Sequence, residues 1–206
     1  DLAAAEGLEA ITLQRVADRL DLSKSGVFSR VGSREALQKA VIEEYGRRFL
    51  ADVFVPAMQR PKGLPRLGEI VQRWIARMRD VEAHTGCIYV AGAFELDDRE
   101  GELRQLLLDE VVRWRAALRR TVLQAVESGE LRADTDAAQF VSEINGLAMT
   151  LLHDARFLRD PKAAERATAT WQRLLESYRA ERAASAPTMP DPATSRTSFQ
   201  FRTSVR

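Results

Sequence analysis

His84 and Cys87 stand three residues apart in "HTGC", one helical turn if the segment is helical, and an imidazole with a thiol is a metal-binding pair. Two ligands do not complete a site. The one other histidine, His153, lies far along the chain, so no metal and no cofactor is expected. A second cluster, Asp97, Asp98 and Glu100 in "ELDDREGEL", gathers carboxylates of the kind that do acid–base work. It precedes a long helical pattern, where carboxylates cap the helix or face solvent. The sequence has no phosphate-binding glycine loop and no nucleophile elbow. No catalytic residue is expected. What remains is a row of hydrogen-bond donors. In "SKSGVFSRVGSREAL", residues 23–37, Lys24, Ser25, Arg30 and Arg34 sit on a segment that starts a helix at Ser23, breaks at Gly32 and starts another at Ser33. A helix that short contributes little to a core and is suited to being presented to a partner.

The elements around it are helical. Leu13, Val16, Ala17 and Leu20 make one face of a helix that Thr12 caps and that ends near Leu20. The turn "DLS" follows, and Ser23 caps the next helix. Helix, tight turn and short second helix form a helix-turn-helix, whose second helix enters the DNA major groove by its N-terminal residues. Small Ala17 suits a close crossing. Leu22 and Val27 are expected to pin the turn and the second helix. Phe28 is expected to pack back, leaving Lys24, Ser25 and Gly26 at the exposed start. Residues 14–34 hold five basic residues against two acidic ones, a local excess of three in a chain whose net charge is +1. The basic patch lies where a phosphate-binding surface belongs.

The rest of the 206 residues reads as all-α. Stripes at three and four predict helices from Ser33 to about residue 58, Leu64 to about 81, Glu102 to Ser128, about Thr135 to Phe157, and Pro161 to Arg182. Phe54, Trp74, Met78, Tyr89, Phe94 and Trp114, spread over separate helices, are candidate walls of an apolar ligand pocket between helices. Ile144, Leu147 and Leu151, with Trp171, Leu174 and Tyr178, belong to broad stripes that suit a two-helix dimer interface. No apolar run approaches the roughly 20 residues of a membrane span, so no membrane partner is expected. The single cysteine, Cys87, excludes an internal disulfide and fits a reducing cytoplasm. "DLAAAEG" opens inside a helical pattern, so the natural chain is expected to begin earlier. Residues 184–206, rich in Pro, Ser and Thr, read as a disordered tail.

The stretch "AAAEGLEAITLQRVADRLDLSKSGVFSRVGSREALQKAV" resembles the N-terminal domain of TetR-type transcriptional repressors. The family pattern is carried by Gly7, Thr12, Ala17, Ser23, Phe28 and Arg34-Glu35-Ala36-Leu37, over about residues 3–45. Gly86-Cys87 and "ESGEL" at 127–131 are similar to one subgroup of the family. The resemblance implies a three-helix DNA-binding head at 1–45, a larger helical ligand-binding and dimerisation domain at 46–183, and a cytoplasmic homodimer. It implies a palindromic double-stranded DNA operator and an unidentified small-molecule effector. It also implies DNA contacts from Thr12, Lys24, Ser25, Gly26, Phe28, Arg30, Ser33 and Arg34. The family usually has Tyr at position 28, so Phe28 lacks a hydroxyl for a phosphate. Arg30-Val31 stands for a frequent His-Phe pair, and Arg34 for a frequent Lys. The alternative reading is a helical small-molecule-binding or interaction protein that no longer binds DNA.

Overall fold

A computed structural model describes residues 2–180. The chain opens with α1 (Leu2–Glu6), α2 (Leu13–Leu20), α3 (Lys24–Val31) and α4 (Arg34–Phe49). It continues through α5 (Val55–Ala57), α6 (Leu64–Arg77), α7 (Ala83–Thr85), α8 (Ile88–Leu96), α9 (Glu102–Glu127), α10 (Ala137–Leu152) and α11 (Ala163–Tyr178). Among these residues the one strand-like contact is an isolated bridge between Leu131 and Arg179. The all-α expectation holds. The expected tail at 184–206 lies outside the described residues.

Three helices run on through a π turn: Leu50–Phe54 after α4, Met78–Glu82 after α6, and His153–Phe157 after α10. The long patterns expected from Ser33, Leu64 and Thr135 are therefore each present but interrupted. A π turn holds an extra residue, so side chains beyond it rotate off the preceding stripe. The last helix starts at Ala163, with Pro161 in the turn before it, and ends at Tyr178 rather than Arg182. Helix α8, "IYVAGAFEL", is apolar on nearly every side, so no stripe announced it.

Helix α9 is the spine, packing against α4, α6, α8 and α10, while α10 also packs on α11. Ile42, Leu67, Ile70, Leu118, Val122 and Phe140 are fully buried where these helices meet, each adding about 1.5–3 kcal/mol over an exposed position. The same core takes Ile144, Leu147, Leu151 and Trp171. Their burial comes from α9, α6 and the packing of α10 on α11 inside one protomer, so these four have no surface left for a partner and do not form the expected dimer interface. Leu174 and Tyr178 keep partial exposure, although Tyr178 stacks on Phe140 with ring centroids 4.1 Å apart.

Candidate functional site

The helix-turn-helix is built from caps. Thr12 Oγ1 accepts from the Arg15 amide at 3.2 Å and starts α2. Asp21 ends it in the left-handed region at φ 54, its amide donating to the Ala17 carbonyl. Ser23 Oγ accepts from the Gly26 amide at 3.0 Å and starts α3. Gly32 stops α3 at φ 79, a backbone that disfavours side chains, and Ser33 Oγ accepts from Ala36 to restart the chain as α4. Each cap satisfies an amide that the first helical turn leaves unpaired. Two helix starts ten residues apart follow directly from Ser23, Gly32 and Ser33.

The structure leaves Lys24, Ser25, Phe28, Ser29 and Arg30 exposed on α3, with Gly26 partly covered. Two expectations are corrected. Phe28 does not pack back: it is 56 % exposed, because Val27 and Val31, four apart, form the inward face and Phe28 falls to one side of it. Leu22 is also exposed, and Val27 alone, at 3 %, pins the start of α3 over fully buried Ala17. The assignment of Arg34 to phosphate changes too. Its guanidinium donates to the Ile11 carbonyl at 3.0 Å and the Glu9 carbonyl at 2.6 Å, and pairs with the Glu9 carboxylate. Arg34 ties α4 to the loop after α1. Arg30 Nη1 reaches only back along its own helix, to the Gly26 carbonyl at 2.8 Å, and stays on the surface. Exposed Ser29 belongs to the same face, and a sequence reading confined to the first turn of α3 missed it.

In the larger part of the chain, Trp74, Tyr89, Phe94 and Trp114 line one cavity of about 150 Å³ together with Phe49 from the end of α4. Phe49 meets Trp114 edge-on at 4.8 Å, and the two indoles cross at 5.2 Å and 88°. Phe54 and Met78 are not in its wall. Phe54 closes the first π turn, rotated off the α4 stripe, and Met78 is sealed in the core. Beside the cavity runs a buried polar network that sequence patterning could not show. Tyr45 Oη donates to Glu82 Oε1 at 2.6 Å and lies 3.1 Å from Cys87 Sγ. Arg77 Nε donates to the same Glu82 oxygen at 3.0 Å, and its Nη1 pairs with Asp52. Burial pushes the Tyr45 hydroxyl well above its usual range and the Cys87 thiol up to about 12, so both stay protonated at neutral pH. His84 and Cys87 form no metal cluster, and no group of three metal-ligating side chains occurs among the described residues.

The sequence of residues 63–171 matches the family described as "Tetracyclin repressor-like, C-terminal domain". None of the curated proteins matches the chain. Several solved structures share the fold. One is a TetR-family transcriptional regulator from Cytophaga hutchinsonii, 16% identical, covering 88% of this chain and 90% of that one at a TM-score of 0.74. Another is the ketosteroid transcriptional regulator KstR2 of Mycobacterium tuberculosis, 17% identical, covering 87% and 90% at 0.68. A third is AibR, solved with isovaleryl coenzyme A and operator DNA, 17% identical, covering 84% and 90% at 0.62.

Proposed function

The chain belongs to the tetracycline-repressor-like family of regulators, and on that premise we propose that it is a cytoplasmic, homodimeric repressor that leaves a palindromic operator when a small molecule enters the cavity. The observation that carries this reading is the course of α4. It starts at Arg34, capped by Ser33 two residues beyond the recognition helix α3, and ends at Phe49 in the cavity wall. Sixteen residues at about 1.5 Å each span about 24 Å, so one rigid element joins the two sites. A dimer presents its two recognition helices about 34–36 Å apart, and a tilt of α4 changes that spacing. AibR, a protein of the same fold, was solved in complex with isovaleryl coenzyme A and operator DNA, which supports a fold able to take both kinds of partner. No catalytic role is assigned, and the domain division is at α4, with residues 1–45 as the head and 46–183 as the effector and dimer unit.

The test is reciprocity. A coupling of about 1–3 kcal/mol weakens operator binding about 5- to 150-fold when effector is bound, and operator must weaken effector binding by the same factor. The operator is recovered by selection from random DNA, and effector affinity is then measured by calorimetry with and without it. Equal affinities would show that the two sites are uncoupled, and failure to recover any operator would favour the reading in which DNA binding has been lost.

Direct readout is assigned to Lys24, Ser25, Ser29 and Phe28, and phosphate contact to Arg30 with the exposed start of α4 at Ser33. Gly26 has no side chain to read a base, and Thr12 caps the helix that crosses the backbone. Phe28 offers a ring to a thymine methyl. Lys24→Ala is expected to cost about 1–3 kcal/mol on the cognate site. Phe28→Ala is expected to leave stability within about 0.5 kcal/mol, as for other surface changes, while weakening cognate binding more than random-DNA binding. Equal losses on both DNAs in gel shifts would reassign the residue to backbone contact.

The dimer face is reassigned to α10. Its exposed residues, among them Ser142, Gly146, Met149 and Thr150, include no charge, and a side chain at Gly146 would meet nothing within 4 Å in the protomer. An uncharged stripe with a glycine at its centre suits close packing across a two-fold axis. Gly146→Arg is expected to convert the dimer to monomers in sedimentation without lowering the protomer's helix content. A dimer that survives this change would exclude the α10 face.

A further inference from the structure

The cavity behind Phe49 is polar in an uneven way. Trp74 and Trp114 both line it, are 7 % and 6 % exposed, and bury an indole Nε1–H that has no acceptor. A buried donor without a partner costs about 1–3 kcal/mol, so native cores seldom keep two side by side. Two other donors of the wall are engaged elsewhere. The Tyr89 hydroxyl donates to Glu110 at 3.3 Å, and the Asn145 amide donates to the Val141 carbonyl at 2.7 Å. Arg115 also lines the cavity, one residue after Trp114, and has no ion pair among the described residues, whereas its neighbour Arg113 is paired with Glu110. No carboxylate stands in the wall. The site therefore holds donors in excess, one unpaired cation and no anion.

We propose that this cavity takes a small carboxylate whose apolar body is about one ring in size, its oxygens accepting from Trp74 and Trp114 with Arg115 as counter-charge. The assignment rests on the effector reading above and names the effector's chemical class. The size follows from volume. An apolar cavity of about 150 Å³ accepts a benzene ring, and this one has that volume. The edge-to-face walls of Phe49, Trp74 and Trp114 suit a flat or compact ring. Entry is past Phe94, which lines the cavity and is 64 % exposed.

The probes are benzoate, phenylacetate and cyclohexanecarboxylate, titrated into the full-length dimer by calorimetry, with benzamide and benzylamine as neutral and cationic matches. At least one carboxylate is expected to bind, about ten-fold or more tightly than the amide, with no binding of the amine. Trp74→Phe, Trp114→Phe and Arg115→Gln are each expected to weaken that carboxylate about ten-fold while changing the amide's binding to a different extent. Phe keeps a six-membered ring and removes the pyrrole with its N–H, and folding of each variant is checked by unfolding. Amide and carboxylate binding equally, wild-type affinity in both tryptophan variants, or no carboxylate binding at millimolar concentration would each overturn the assignment. Operator binding is measured on the same samples. If it persists while the carboxylates fail, the effector class falls and the regulator stands. If operator binding itself is absent, the regulator reading falls.

Discussion

Arg77→Met is expected to destabilise the protein by about 3–5 kcal/mol, the cost of breaking a buried ion pair by removing one partner. Glu82 is fully buried and Arg77 is 8 % exposed. Without the guanidinium, the Glu82 carboxylate keeps only the Tyr45 hydroxyl, and its second oxygen already lacks a partner. Arg77 also lies over the Tyr45 and Phe49 rings at 5.4 and 5.8 Å, so methionine keeps some packing but loses the cation–π contact. Asp52 adds less, because it is 56 % exposed and solvent screens the pair. At about 2–4 °C per kcal/mol for a chain of this size, thermal unfolding should fall by roughly 10 °C. The double change Arg77→Met with Glu82→Leu removes both charges and should recover most of that loss. A single variant within about 1 kcal/mol of the native protein would show that the guanidinium is not what holds Glu82 in the core. A double variant no better than the single would assign the loss to packing.

This network was not legible in the sequence, and the reason is physical. Tyr45, Arg77, Glu82 and Cys87 are brought together by tertiary packing across α4, α6, a π turn and the start of α8, and no spacing along the chain encodes that. The caps were legible because Thr12, Ser23 and Ser33 act on amides three residues away. Burial in α10 was legible as an apolar stripe, but not whose surface it met. Ile144 and Leu151 carry the same side chains whether they face α9 or a second subunit. Phe28 shows the converse limit. A short helix has few inward positions, and Val27 and Val31 had already taken them. The phase shift at the first π turn moved Phe54 out of the cavity wall.

The second large effect is expected at Gly86, where α1 meets α7. Gly86 sits at φ 90 and ψ 168, a region that is almost exclusively glycine's and costs a side chain about 1–3 kcal/mol. A Cβ there would lie 1.8 Å from the Ala4 carbonyl oxygen and 2.7 Å from its carbon, both backbone. Backbone cannot swing aside as a long side chain can, so α1 must shift. Helix α1 rests on α7 and α8. Arg156 donates to the Ala5 carbonyl at 3.3 Å and the His84 carbonyl at 3.1 Å, bridging α1 to α7. The loop after α1 is held by Glu95, which accepts from the Leu8 and Glu9 amides at 2.7 and 2.6 Å. The same loop anchors Arg34 at the start of α4, so displacing α1 loosens the base of the recognition helix. Gly86→Ala should therefore cost about 2–5 kcal/mol, conformational strain plus the clash, and should weaken operator binding as well. Gly101 is the control. It has a similar backbone, φ 133 and ψ 173, but a Cβ there would meet nothing within 4 Å. Gly101→Ala should show the strain alone, with operator affinity unchanged. The difference between the two variants in urea unfolding measures the clash, and the difference in gel shifts measures what the docking of α1 does for DNA binding. Equal costs at both glycines would mean that the Cβ is accommodated without moving α1, and that the head is held by α4 alone.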